Sequence, residues 1–209
     1  MSYVINNREE PDVNFGTIGA GTVAQAIAAH LVAAGHEVTL SNSRGPDTLL
    51  DVVARLGPLA RAGTVEEAAA ADVVFLAVTW PQVGDALSGL SSWDGRILVD
   101  TTNSGFAPPA VEDLGVETSS EFVAQRAPGA RVVKAFNTLY AQYIAADPRH
   151  AEGRQLLFHA GDDDAAKADF RAVFDDIGFA PVDAGSLREG GRLMQLGAVL
   201  SALHAVKLD

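Results

Sequence analysis

A turn of small residues near the start of the chain constrains its fold more than any other feature. Gly19-Ala20-Gly21-Thr22-Val23-Ala24 follows an apolar run over residues 13–18 and leads into a stretch where Val23, Ile27 and Leu31 recur at helical spacing. Each small residue has a physical reason. Gly19 permits a tight turn, Gly21 lets the backbone approach a bulky anion, and Ala24 lets the helix pack close to the strands. A helix starting there points unpaired N–H groups and a partial positive charge at that anion. Pyrophosphate fits this arrangement, so Gly19, Ala20, Gly21, Thr22 and Val23 are expected to bind the phosphates of a dinucleotide.

Downstream, short apolar runs alternate with helical patterns, the mark of a parallel sheet built from βαβ units. Strands are expected over 36–40, 72–78, 96–100, 131–135, 156–160 and 180–183. Helices are expected over 22–34, 48–55, 66–70 and 120–126, from Pro81 onward, and around Phe170, Val173, Phe174 and Ile177. A last helix over 187–206 would carry Leu193, Leu196, Leu200 and Leu203 on one face. The fold class is α/β: a Rossmann-type, doubly wound, mostly parallel sheet with a small C-terminal β-α-β-α extension. Residues 1–12 read as a flexible tail, 13–150 as the dinucleotide-binding domain, and 151–209 as the extension ending in the apolar helix.

The end of the second strand separates two dinucleotides. An acidic residue there bonds a ribose 2′-hydroxyl. This chain has Ser41-Asn42-Ser43-Arg44 instead, with Arg44 25 residues past Gly19. Hydroxyls, an amide and a guanidinium suit a 2′-phosphate, which a carboxylate would repel. The cofactor expected is NADP(H). The formal net charge of −12 makes a local arginine the more telling, and argues against nucleic-acid or membrane partners. With no cysteine and five scattered histidines, thiol chemistry is excluded and no metal site is expected. No stretch reaches the ~18 apolar residues of a membrane span, and residues 1–12 lack a signal core. A cytoplasmic location is expected.

Four segments make the chain resemble the NADP oxidoreductases that use the deazaflavin coenzyme F420, with the reductase domain of metal-reducing membrane proteins as a relative. They are the Gly19–Ala24 turn, Ser41-Asn42-Ser43-Arg44, Val132-Val133-Lys134-Ala135-Phe136-Asn137-Thr138, and Ala160-Gly161-Asp162-Asp163-Asp164 continuing to Pro181-Val182-Asp183-Ala184-Gly185. The resemblance implies hydride transfer between NADP(H) and F420 or a flavin-like acceptor stacked on the nicotinamide, with position supplied rather than acid–base chemistry. It implies that Val78, Thr79 and Trp80, with Pro81, line the nicotinamide side. Asn137 would touch the cofactor, and Asn137, Thr138 and Leu139 the acceptor. No side chain is assigned a catalytic role. The alternatives are an NADPH-dependent imine or carbonyl reductase, drawing a proton from Tyr140, Tyr143 or His204, and a non-catalytic NADP-binding protein. The expected partner is a small-molecule redox acceptor, and the apolar face of the last helix offers a homodimer interface.

Other residues admit two readings. Lys134, in an apolar strand, either points into the cleft or snorkels. Trp80 is a stacking wall or a core aromatic. Asp162, Asp163 and Asp164 read as a helix cap rather than a cation site. Arg188 and Arg192 either meet an acidic acceptor tail or are solvated.

Overall fold

The computed structural model describes residues 13–105 and 118–208; the expected tail lies outside them. β1 (Phe15–Ile18), α1 (Thr22–Ala33), β2 (Val38–Ser41), α2 (Leu50–Leu56), β3 (Ala60–Ala62), α3 (Val65–Ala69), β4 (Val73–Leu76), α4 (Val83–Leu87) and β5 (Ile97–Asp100) come first. α5 (Ser119–Arg126), β6 (Arg131–Ala135), α6 (Ala141–Ala145), β7 (Arg149–His150), β8 (Gly153–Gly161), α7 (Asp164–Ile177), β9 (Ala180–Asp183), α8 (Glu189–Met194) and β10 (Val206–Leu208) follow.

The sheet runs β10-β8-β6-β5-β4-β1-β2-β3, with β7 and β9 also paired to β8. Strands β1 to β6 are all parallel, so the order reverses between β1 and β4. In open α/β sheets, ligands lie outside the carboxyl ends of the strands at such a reversal. The fold is Rossmann-type, as expected. β8 joins β6 antiparallel, with Ala135 opposite His159, so the C-terminal strands continue the same sheet.

Alternation along the buried strands feeds two cores. Phe15, Val73, Phe75, Val99 and Val133 pack on one face with Ile27, Leu31, Phe170 and Phe174. Ile18, Val74, Leu76, Leu98 and Val132 pack on the other with Trp80, Val83, Trp93 and Val123. Parallel strands buried on both faces read as continuous apolar runs, and Val73-Val74-Phe75-Leu76 is one. Glycine supplies one close approach. A Cβ on Gly16 of β1 would lie 2.0 Å from the Ala68 carbonyl oxygen, so only glycine lets α3 seat on that strand.

The terminal helix expected over 187–206 does not form. α8 ends at Met194, turns follow, and the chain finishes as β10 paired with Gly153–Gln155 of β8. Gly197 at φ +85° and Ala202 at φ +56° break the helical path, so the leucine periodicity is served by turns. Leu193, Leu196, Val199 and Leu203 are exposed.

The structure also decides between the readings of Lys134. Its ammonium is buried 2.9 Å from the equally buried Asp100 carboxylate on the adjacent strand, so it neither enters a cleft nor snorkels. Removing the cation strands a carboxylate in the core, which typically costs about 3–5 kcal/mol. Lys134→Met is expected to lower unfolding free energy by roughly that amount in a denaturant titration. Asp100→Asn added to it should restore more than half of the loss. A double variant no more stable than the single one would show that the two groups are not coupled.

Candidate functional site

The turn of small residues forms between β1 and α1, at the strand–helix junction where it is expected. Gly19 sits at φ +106°, where a Cβ would come within 2.3 Å of the Ala77 carbonyl oxygen. Gln25, missed in the sequence, donates its side-chain amide to the Ala20 carbonyl at 2.8 Å and braces the turn. Gly21 is the N-cap of α1, and a Cβ there would meet no atom within 4 Å. Helices α3, α5 and α7 each begin on a capping side chain (Thr64, Thr118, Asp163) and carry an acid in the first turn. α1 has neither: its positive dipole end carries no side-chain cap and no acidic residue in the first turn. A helix start left in this state is suited to an anion.

At the end of β2 the four polar residues divide their work. Ser41 is fully buried and donates its hydroxyl to the Thr17 carbonyl at 2.7 Å, tying β2 to β1. It therefore has no hydroxyl proton to offer a phosphate. Asn42 accepts the Arg44 N–H at 2.9 Å and donates to Thr48 Oγ1 at 3.0 Å, an Asx turn that leaves Ser43 and Arg44 exposed.

After β4, Val78 lies next to Gly19, since its Cγ1 would be 3.2 Å from a Cβ there. Thr79 is exposed, and its Oγ1 donates to Gln82 Oε1 at 2.7 Å. Trp80 departs from the stacking-wall reading. Its indole is buried against Phe122, with ring centroids 5.3 Å apart, in the core beneath α5. The reason lies in Thr79 and Gln82, whose mutual bonds start a 3₁₀ turn that directs residue 80 inward.

The carboxyl ends of β5 and β6 are joined at two levels. Below, Asp100 accepts from Lys134 Nζ, from Ser120 Oγ at 2.9 Å and from the Thr102 N–H and hydroxyl at 2.9 and 2.7 Å. Lys134 Nζ also donates to the Thr102 carbonyl. Above, Asn103 and Asn137 exchange amide bonds: Asn103 donates to the Asn137 carbonyl at 3.0 Å, and Asn137 to Asn103 Oδ1 at 3.1 Å. Asn103 was not read from the sequence; the polar run Thr101-Thr102-Asn103-Ser104 after an apolar strand was the available signal.

Between these levels Phe136 has φ +65°, a left-handed conformation rare for a bulky side chain. Its ring is held by Phe75, Phe170, Phe174 and Phe179 at centroid distances of 5.0–6.2 Å. Strain of this kind persists where the surroundings over-determine it, often at functional sites. It delivers Asn137 and Thr138, both buried, whose Oδ1 and Oγ1 have no hydrogen-bond partner. Leu139 is also buried. His159, on β8 opposite Ala135, was missed too. It is fully enclosed with neither ring nitrogen partnered, and burial pushes its pKa below the ordinary histidine value.

Other groups fall outside this arrangement. Asp163 caps α7 by accepting the Ala166 N–H at 2.7 Å, as the cap reading expects, whereas Asp162 accepts the distant Leu187 N–H at 2.9 Å and ties the start of α7 to the loop after β9. Arg188 pairs with Glu121 at 3.1 Å. His204 stacks flat on Tyr143 at 3.9 Å, and Tyr140 is 62% exposed. Among the described residues no cluster of three or more histidines and carboxylates could hold a metal, and no helix is long and apolar enough to cross a membrane.

Known proteins share this architecture. Residues 14–104 match the family model described as "NADP oxidoreductase coenzyme F420-dependent". The rat metalloreductase STEAP3 is 34% identical over 183 residues, 86% of this chain; the chain spans only 35% of the length of that relative. A hypothetical protein of Sinorhizobium meliloti superposes with a TM-score of 0.86 at 39% identity, over 93% of this chain and 96% of that one. A protein of Arthrobacter sp. FB24, provisionally assigned as an F420-dependent NADP-reductase, gives 0.66 at 25% identity, over 87% and 90% of the two chains.

The helix start at Gly21 has a direct test. Gly21→Val should fold with near-unchanged stability, because the new side chain points into open space, yet lose NADPH binding by steric exclusion of the pyrophosphate. Calorimetric titration and thermal unfolding of the same sample check both halves. Retained affinity would place the phosphates elsewhere.

Proposed function

We propose that this chain, residues 14–104 of which match the model described as NADP oxidoreductase coenzyme F420-dependent, exchanges hydride between NADP(H) and a planar acceptor of the deazaflavin (F420) or flavin type. One observation carries the acceptor reading. A strained Phe136 holds unpartnered polar atoms of Asn137 and Thr138 at the end of β6, at the same carboxyl edge of the sheet as the uncapped start of α1.

NADP(H), when bound, supplies or takes up the hydride. The chain's own residues bind and orient. Gly19, Ala20, Gly21, Thr22 and Val23 cradle the pyrophosphate through main-chain N–H groups. The Asx turn at Asn42 presents Ser43 and Arg44 to the 2′-phosphate, while Ser41 supports them from beneath. Val78 and Thr79, with the backbone of Trp80, border the nicotinamide side. Asn137, Thr138 and Leu139 face the acceptor. Transfer between stacked rings asks for reacting atoms about 3–3.5 Å apart and for no side-chain proton. The imine- or carbonyl-reductase alternative needs a proton donor at the site, for which Tyr140, Tyr143 and His204, packed together, are the candidates. A non-catalytic NADP-binding protein would show the cofactor site without turnover.

The test follows NADPH absorbance with F420, FMN, FAD and a panel of imines and aldehydes. Oxidation with the tricyclic acceptors alone is expected; turnover of the imines or aldehydes alone would overturn the acceptor class. In the same preparation, Arg44→Ala should weaken NADPH roughly ten- to hundred-fold and leave NADH nearly unchanged. That is the value of about 1.5–3 kcal/mol for a bond to a charged group. Equal losses for both cofactors would remove Arg44 from 2′-phosphate recognition.

A further inference from the structure

The amide of Asn137 can be oriented without ambiguity. Its Nδ2 lies 2.7 Å from the Met194 carbonyl oxygen, and a main-chain carbonyl only accepts. The nitrogen must therefore face Met194, and its second hydrogen goes to Asn103 Oδ1 at 3.1 Å. Both amide hydrogens are engaged. Asn103 Nδ2 is committed in turn to the Asn137 carbonyl, so the pair cannot turn over together without placing oxygen against oxygen. Asn137 Oδ1 is left pointing away from these partners, buried and unpaired, on a residue that is 9% exposed. Buried acceptors in folded proteins are almost always satisfied, so one locked in place without a donor implies that the donor comes from outside.

We propose that Asn137 Oδ1 is a fixed specificity acceptor for a planar amide N–H of the bound redox partners, and that it selects against partners lacking that N–H. This rests on the reading of the site given above. Two sources present the chemistry: the carboxamide of the nicotinamide, and the ring lactam or imide N–H of a flavin or deazaflavin. The adjoining Thr138 Oγ1, 1% exposed and also unpartnered, gives the same corner a second polar atom. A rigid acceptor discriminates strongly, because a ligand without the hydrogen leaves the oxygen desolvated and unpaired.

Equilibrium titration on the full chain separates the sources. One arm compares NADP⁺ with its 3-acetylpyridine analogue, which keeps the ring carbonyl but has no N–H. The other compares riboflavin with N3-methylriboflavin. In at least one arm the wild type should prefer the N–H ligand by roughly ten-fold, the cost of leaving a buried acceptor unpaired. Asn137→Ala should bring that ratio close to one. The arm that shows the preference names the source. Equal affinities within both pairs for the wild type would overturn the proposal without recourse to any variant, as would a preference that survives in Asn137→Ala. Failure of NADP⁺ itself to bind would instead defeat the reading of the site, so the two failures are told apart in one experiment.

Discussion

The buried pair of Asp100 and Lys134 is the interaction on which the rest of the site depends. Isolated ions in a core are costly, and their attraction offsets the desolvation only when the remaining hydrogen-bonding capacity is also filled. Here it is filled. Asp100 accepts from Lys134, Ser120 and both donors of Thr102, and the ammonium also reaches the Thr102 carbonyl. The network joins β5, β6 and the start of α5, three elements that the chain alone does not hold together. An apolar pair of similar volume could fill the space, but it would not dictate where the backbone goes after each strand. The ion pair does, because Thr102 is bound to it and Asn103 is the next residue.

Electrostatics reach the cofactor end differently. A chain of net charge −12 carries a field unfavourable to a phosphate-rich ligand. The structure answers locally. The first turn of α1 has no acidic residue, and the Asx turn at Asn42 exposes one guanidinium, Arg44. Charges beyond about 8–10 Å are largely screened at physiological salt, so a bare helix start counts for more than a distant acidic surface. At α7, by contrast, Asp163 and Asp164 crowd the helix start, so there the chain's own carboxylates meet the dipole.

What could be read in advance follows from how local each signal is. The glycine turn, the alternation of strands with helices and the polar run at the end of β2 each lie within a few consecutive residues, and the structure forms all three. The Asn103–Asn137 exchange joins residues 34 apart, and it exists only because β5 and β6 are neighbours. Lys134 looked like an outlier in an apolar strand because its partner belongs to another strand. Trp80 misled for a related reason: position after a strand suggests the cleft, but the Thr79–Gln82 bonds turn it inward. The terminal helix failed because leucines at helical spacing also suit a turn, and Gly197 together with Ala202 settled the matter.

The left-handed backbone of Phe136 explains why the site is stiff as well as why it is there. A bulky residue in that region costs on the order of 1–3 kcal/mol, comparable to the roughly 1.5–3 kcal/mol gained by burying its ring. Four neighbouring phenylalanines hold the ring, so releasing the strain would mean withdrawing it from the aromatic core. The next residue inherits that rigidity. Asn137 is then clamped from two sides, by Asn103 on the loop after β5 and by the Met194 carbonyl at the end of α8. The second clamp requires α8 to lie close against β8. Gly190 allows this, since a Cβ there would sit 2.7 Å from both the Ala160 methyl and the Ala184 carbonyl oxygen. A glycine in the short C-terminal helix thus helps to set the direction of an amide oxygen more than fifty residues earlier in the chain.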